Sequence, residues 1–368
     1  MTGGVAIPAI AVAGVAALLA LLAVPVLARF APGWDLLDYP GKRKFHGRTV
    51  PLVGGLAIAF AAFAALGVGA LWGGYLNGFS WWFVLGAAVI LTAGVLDDLF
   101  DLRHWRKASF QIAAILLLVF LAGARITTLG ALVGGAPIQL GYAAIPFTII
   151  CLLGYVNAVN MVDGLDGLAG GVSVIALAFL AACAWVEGLS GLFLVVVAFG
   201  VATLAFLIYN LRTPWRRKAA VFLGDAGSMT LGLVVGWAAV RIAGESSHGI
   251  VAPISLAWVL ALPVMDTLVV MGRRLALRRN PFSPDRLHLH HVLVDLGYSP
   301  GQATAVLLTL AFFYGAYGLA GAVAGLPQWV LFASFLGVLA AHALFVSLVH
   351  RHAVSASMPP AHSDSVMP

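Results

Sequence analysis

The sequence predicts an all-α polytopic integral membrane protein of about eleven transmembrane helices, and two observations carry that prediction. Of 368 residues, 62% are hydrophobic and 9% are charged, against about 45–50% and about 25% in ordinary soluble domains. So few charges cannot cover the surface of a soluble globule. Apolar runs near the roughly 20 residues that a helix needs to cross a bilayer also recur along most of the chain.

The predicted spans are 5–28, 51–71, 81–96, 109–123, 143–160, 168–186, 191–209, 228–243, 252–272, 302–324 and 328–349. The first has the length of a signal peptide, but its charge order is reversed: nothing positive precedes it, and Arg29, Lys42, Arg43, Lys44 and Arg48 follow. Residues 124–142 place a Gly-rich turn between two short extended runs, which predicts a small hairpin. Cys151 and Cys183 lie inside apolar runs and read as small buried hydrophobes. Residues 1–352 form one membrane domain with no fixed-period repeat. From 353 to 368 no apolar period remains, which predicts a disordered cytoplasmic tail.

Eleven spans put alternate loops on the same side. Of the 20 Lys and Arg residues, all but Arg125 and Arg241 then collect on one face. The positive-inside rule makes that face cytoplasmic, with the N-terminus outside and the C-terminus inside. The net charge of +6 is therefore a topology signal, and no nucleic-acid partner is expected. Most of the acidic residues share that face, whereas Glu187 and Glu245 fall on the other.

Asp97, Asp98 and Asp101 crowd the inner end of the third span. Like charges this close repel unless a cation or a shared proton intervenes. A Mg²⁺ ion bound through one or two carboxylates plus substrate phosphates suits such a site. The plainer alternative pairs them with Arg103, Arg106 and Lys107, but acidic residues at a helix C-terminus oppose the macrodipole. Asn157, Asn160, Asp163 and Asp166 recur every three residues, and Gly164, Gly167, Gly170 and Gly171 predict a break that lets them converge on one ligand. Glycines alone would suit close helix packing, yet that leaves the two Asn and two Asp unexplained. Asp225, between Gly224 and Ala226, opens the eighth span and is either an N-cap or a further ligand.

Arg286, His288, His290 and His291 form a basic, imidazole-rich loop. With no cysteine or carboxylate to complete a zinc set, phosphate contact is the better reading. Asp266 falls inside the ninth span just after Pro263; an intramembrane carboxylate is costly and by default functional, although a structural hydrogen bond is also open to it. Lys44, His46 and Arg48, ahead of a Pro-to-Gly-Gly entry into the second span, suit an anionic substrate or headgroup.

Taken together, KRKFH with VPLVGG, DDLFD, NAVNMVDGLDGLAGG, FLGDAGS and PFSPDRLHLHH resemble, in that order, the motifs of the polyprenyl-phosphate N-acetylhexosamine-1-phosphate transferases, the superfamily that includes the phospho-MurNAc-pentapeptide translocase. The resemblance covers nearly the whole chain and departs at Asn280, where the family motif has Ser. The KRKFH and PFSPDRLHLHH forms are similar to the branch that makes undecaprenyl-pyrophosphate-linked GlcNAc. The resemblance implies transfer of a HexNAc-1-phosphate, foremost GlcNAc-1-phosphate, from a UDP-HexNAc to undecaprenyl phosphate, with UMP released and Mg²⁺ required (Mn²⁺ a candidate substitute). The muramoyl-pentapeptide reaction, or another UDP-HexNAc, is the alternative; a transporter is the remote one, disfavoured because transporters place charges near the midplane and show inverted repeats.

Carried over by position, Asp98 and Asp225 are implied metal ligands, and Asp97 the residue that deprotonates or positions the lipid phosphate. Asn160, Asp163 and Asp166 are implied to hold nucleotide and sugar, Phe222 to stack on uracil, and His288, His290 and His291 to contact phosphates. The expected catalytic set is thus Asp97, Asp98, Asp163, Asp166 and His288. Lys44, His46, Arg48, Asn157, Asn160, Phe222, Asp266, Arg286, His290 and His291 are expected to bind substrate. Expected partners are the two substrates and membrane lipids, with homodimerisation left open, in a bacterial cytoplasmic (inner) membrane.

Overall fold

The computed structural model describes residues 5–39, 49–71, 80–245, 249–280 and 287–357. Lys44, His46, Arg48 and Arg286 lie outside these residues.

All eleven predicted spans are helical. They correspond to α1 (Ala6–Phe30), α2 (Gly54–Ala70), α3 (Trp81–Phe100), α4 (His104–Leu116, prolonged by one π-turn at Leu117–Leu121), α5 (Ala144–Val162), α6 (Leu168–Val186), α7 (Ser190–Asn210), α8 (Gly224–Glu245), the pair α9 (Pro253–Val259) and α10 (Ala261–Ala276), then α12 (Pro300–Val323) and α13 (Gln328–Ser357). The short α11 (Leu289–Asp295) carries the histidines. Helices suit hydrocarbon because they satisfy every backbone polar group within the segment.

Two of the spans differ from a plain crossing. Among the described residues, nine helices are long and apolar enough to cross a membrane on their own, and α2 is a shorter apolar helix of 17 residues. The expected ninth span is bent by 83° between α9 and α10. Pro263 explains the bend: it has no N–H to give Val259, and its ring clashes with that carbonyl. At the C-terminus, α13 continues through Ser357, past the boundary expected at 352; residues 358–368 lie outside the described set.

The expected hairpin is present as β3 (Thr128–Gly130) paired antiparallel with β4 (Ile138–Gln139). A second small pair, β1 (Leu37–Asp38) with β2 (Val50–Pro51), leads into α2. From there the chain binds the approach to α8: Phe222 N–H donates to Pro51 O (2.8 Å), and Gly54 and Gly55 N–H donate to Phe222 O and Leu223 O (3.0 Å each).

Helix α8 is the axis of the bundle, with 89% of its span buried against α3, α5, α2 and α6. Between apolar helices in lipid the attraction is mainly van der Waals contact, so small residues that let backbones approach are what hold them. A Cβ on Gly55 would stand 2.2 Å from Gly227 N, and one on Gly94 would stand 2.2 Å from Ala226 Cα. These contacts bring the ends of α2 and α3 against the first turn of α8, beside Asp225.

Candidate active site

The N-terminus of α8 organises the site. Four N–H groups at a helix start lack intrahelical partners, and Asp98 takes two of them: Asp225 N–H donates to Oδ1 (2.8 Å) and Ala226 N–H to Oδ2 (3.1 Å). Gly224 makes this approach possible, since its φ of +73° suits glycine and a Cβ there would meet Asp98 Oδ2 at 2.7 Å. The third-span carboxylate and the eighth-span carboxylate, 127 residues apart, are thereby held side by side.

Lys107 supplies the counter-charge. Its ammonium donates to Asp97 Oδ2 (2.7 Å), to Asp225 Oδ2 and to Asn160 Oδ1 (3.2 Å). Asp97 Oδ1 accepts from Leu102 N–H (2.8 Å). Asn160 Nδ2 donates to Asp225 Oδ1 and Ser228 Oγ, both at 2.8 Å. Asn157 instead faces Gln111, giving its Nδ2 to Gln111 Oε1 (2.9 Å) and to Leu153 O (2.8 Å). Asp101 caps α3 in the left-handed region (φ +47°) and is exposed, apart from this network.

The expected break after α5 is the turn 163–167. Asp166 clamps it to the α7–α8 connection, accepting at Oδ2 from Arg212 Nε (2.7 Å) and from Ala219 N–H (3.1 Å). Asn210 does the same from the other side, accepting from Gly167 N–H (2.8 Å) and donating to Val221 O (2.9 Å). Burial pushes the Asp163 carboxyl well above the usual carboxylate range, and the negative charges of Asp225, Asp98 and Asp166 push it further. The backbone of Phe222 sits in the segment hydrogen-bonded to Pro51 and Gly54.

The histidines dock onto that turn. A Cβ on Gly164 would stand 2.3 Å from His290 Nε2, so only glycine admits the ring. His290 is buried, which lowers its pKa to about 3, with the neighbouring His291 and His288 charges adding to the shift. It is therefore a neutral ring at physiological pH. Its ring stacks near His288 (centroids 5.9 Å) and lies tilted against His291 (4.1 Å). Asp266, expected to contact substrate, is 2% exposed and spends both oxygens on the chain: Oδ2 on His288 Nδ1 (2.8 Å) and Oδ1 on Leu289 N–H (2.8 Å).

Lys107, Gln111, Asn210, Arg212, Ser228 and His342 belong to this end of the molecule and were missed as site residues by sequence reading. Lys107 and Arg212 were hidden in basic stretches that topology already explained. Asn210, a polar residue ending an apolar span, was the one with a legible signal.

The oxygen-rich donor set around Lys107 fits a hard divalent cation, because two carboxylates and an amide oxygen surround one ammonium and the Asp98 carboxylate lies beside them on the first turn of α8. Among the described residues no three His, Cys, Asp or Glu side chains form a group able to hold a metal. Two carboxylates completed by substrate phosphates are the coordination typical of Mg²⁺.

A multi-pass helical membrane protein with a carboxylate-rich site at one end of its bundle is the class that fold and site define. Residues 80–243 match the model of glycosyl transferase family 4. The chain is 31% identical over 302 residues (82% of this chain, 81% of the relative) to an undecaprenyl-phosphate alpha-N-acetylglucosaminyl 1-phosphate transferase of Salmonella typhi. The protein of that name from Escherichia coli strain K12 is 32% identical over the same shares. The Haemophilus influenzae one is 30% identical over 86% of this chain and 88% of its own. The chain belongs to this family of sugar-phosphate transferases.

Proposed function

We propose that the protein transfers N-acetylglucosamine 1-phosphate from UDP-GlcNAc to undecaprenyl phosphate, at the cytoplasmic face of a bacterial inner membrane. An oxygen of the lipid phosphate attacks the sugar-bearing phosphorus of the nucleotide sugar. The bond to the UMP oxygen breaks, and undecaprenyl-pyrophosphate-GlcNAc and UMP are the products. The observation that carries this reading is the meeting of Asp97, Asp98, Asp225, Asn160 and Lys107 at the start of α8.

Bringing a phosphate monoester onto a diphosphate gathers several negative charges, so positioning and charge neutralisation supply most of the barrier reduction. Mg²⁺ would be held by Asp225 with Asp98, whose oxygens each keep a lone pair beyond the backbone bond they accept. When bound, it polarises phosphoryl oxygens and offsets their charge. Lys107 holds Asp97 and Asp225 together and brings a positive charge to the reacting phosphates. Asp163 and Asn160, at the end of α5, orient the sugar nucleotide, and the clamp of Asp166 on Arg212 keeps that turn in register with α8. The basic loops on the same face support its cytoplasmic orientation, where nucleotide sugars are dissolved.

The test supplies purified protein with undecaprenyl phosphate, Mg²⁺ and a panel of UDP-sugars, and follows UMP. UMP release with UDP-GlcNAc is expected. Release only with UDP-MurNAc-pentapeptide would reassign the sugar, and release with none would overturn the reading. Excess chelator is expected to stop the reaction and added Mg²⁺ to restore it.

A further inference from the structure

Asp266, His288 and His342 form a buried cluster outside the Lys107 network. They come from three elements: Asp266 from α10, His288 from the N-cap of α11, and His342 from the middle of α13. Their exposures are 2%, 5% and 8%. Asp266 receives the His288 ring on one oxygen and the first N–H of α11 on the other, both at 2.8 Å. His342 Nε2 stands 3.6 Å from Asp266 Oδ1, within ion-pair reach but too long for a hydrogen bond, and has no hydrogen-bond partner. A buried polar atom without a hydrogen bond calls for an explanation, and the Asp266 carboxylate faces it.

We propose that Asp266 and His342 are positioning residues that set the orientation and tautomer of His288, tying the last span to the phosphate-contacting loop. The proposal rests on the transferase reading given above. A carboxylate only accepts, so it requires the proton on Nδ1 of His288 and leaves Nε2 for the substrate side, to accept when the ring is neutral or donate when it is charged. Because Asp266 also caps α11, ring angle and helix position are set by one group. The His342 ring, with Nε2 3.6 Å from Oδ1, packs beside the carboxylate and keeps it from rotating away from His288. Supporting groups of this kind typically affect activity by about 10–100-fold when removed.

Asp266→Asn separates positioning from folding. The amide oxygen can serve only one of the two donors that Asp266 serves now. Leu289 N–H is a fixed donor, so the amide NH₂ turns to His288 Nδ1 and drives the ring proton to Nε2.

The experiment uses the full chain in nanodiscs with ¹⁵N-labelled histidine, the His288 signal being assigned by its loss in His288→Gln. Wild type is expected to show His288 protonated at Nδ1, and Asp266→Asn to show the proton at Nε2; an unchanged signal would overturn the proposal. UMP release is expected to fall about 10–100-fold in Asp266→Asn with little change in KM for the nucleotide sugar. It should fall no further when Asp266→Asn is added to His288→Gln, and multiplying losses would show that Asp266 does not act through His288. His342→Leu is expected to lower kcat, and His342→Gln, which keeps a donor, to recover most of it; equal loss in both would remove His342. Because the ring signal is read without turnover, it decides the tether even if no UDP-sugar is a substrate.

Discussion

The protein contains two carboxylate clusters that look alike in composition and differ in what they leave available. At the start of α8, Asp97 and Asp225 share one ammonium with Asp98 beside them, and the Asp225 side chain stays 32% exposed. On α10, the Asp266 side chain is 4% exposed and its oxygens are occupied by His288, Leu289 N–H and the nearby His342. The first cluster has surplus charge facing water, which is what a cation and phosphates need. The second is satisfied by the chain itself, so its contribution is geometry. An intramembrane carboxylate points to function because it is costly, but whether it meets substrate or supports a residue that does depends on how many of its lone pairs the fold consumes.

The largest effect that could break this contrast is at Asp225. Asp225→Asn is expected to lower UMP release by about 10²–10³-fold or more, the scale of losing a principal charge-stabilising group, while the protein still inserts and folds. A near-wild-type rate would remove Asp225 from the site. Lys107→Met should come next. It leaves Asp97 and Asp225 repelling each other without a counter-charge and lowers stability by less than the about 3–5 kcal/mol typical of a fully buried pair, since Asp225 is partly hydrated. Added Mg²⁺ should raise the melting temperature of Lys107→Met more than that of wild type; equal rises would argue that the ammonium and the ion occupy unrelated places.

Asp98→Asn is expected to cost stability as well as activity, because an amide can accept from only one of the two α8 N–H groups with each oxygen now bonded to one. The loss should be about 1–3 kcal/mol for the N–H left unpaired, read in thermal unfolding beside Asp225→Asn. The smallest effect concerns His290. Its folded pKa of about 3 lies below the ordinary imidazole value of 6.5, so protonation favours the unfolded chain. The stability from its neutral burial is complete above pH 6.5 and declines as pH falls from there towards 3. His290→Asn should flatten that part of the stability profile, and an unchanged slope would show that the ring is not shielded from protons.

Much of the site was legible because its residues are rare in this composition. With 9% of the chain charged, carboxylates at span ends stand out, as Asp97, Asp98, Asp163 and Asp225 do, and Asn160 is marked by its three-residue spacing from Asp163. The glycines of the 163–167 turn correctly predicted a break between α5 and α6. Lys107 was read as one of several basic loop residues, since nothing in the sequence says which lysine lies opposite an acid 118 positions later. His342 sits alone in an apolar stretch and has no local motif; only the packing of α13 against α10 gives it meaning. The bend between α9 and α10 has a local cause in Pro263, a proline the sequence already places inside the ninth span.

By itself, the sequence determined the class of fold, the segments that become helices and the end of the bundle where the candidate site assembles. Hydropathy and charge act residue by residue against the bilayer, so they are readable without knowing any neighbour. Which carboxylate keeps lone pairs for a ligand, which ammonium balances the acids and which histidine supports another were decided by tertiary structure alone. Those properties depend on the distances between groups on different helices, set by close contacts such as Gly55 with Gly227 and Gly94 with Ala226.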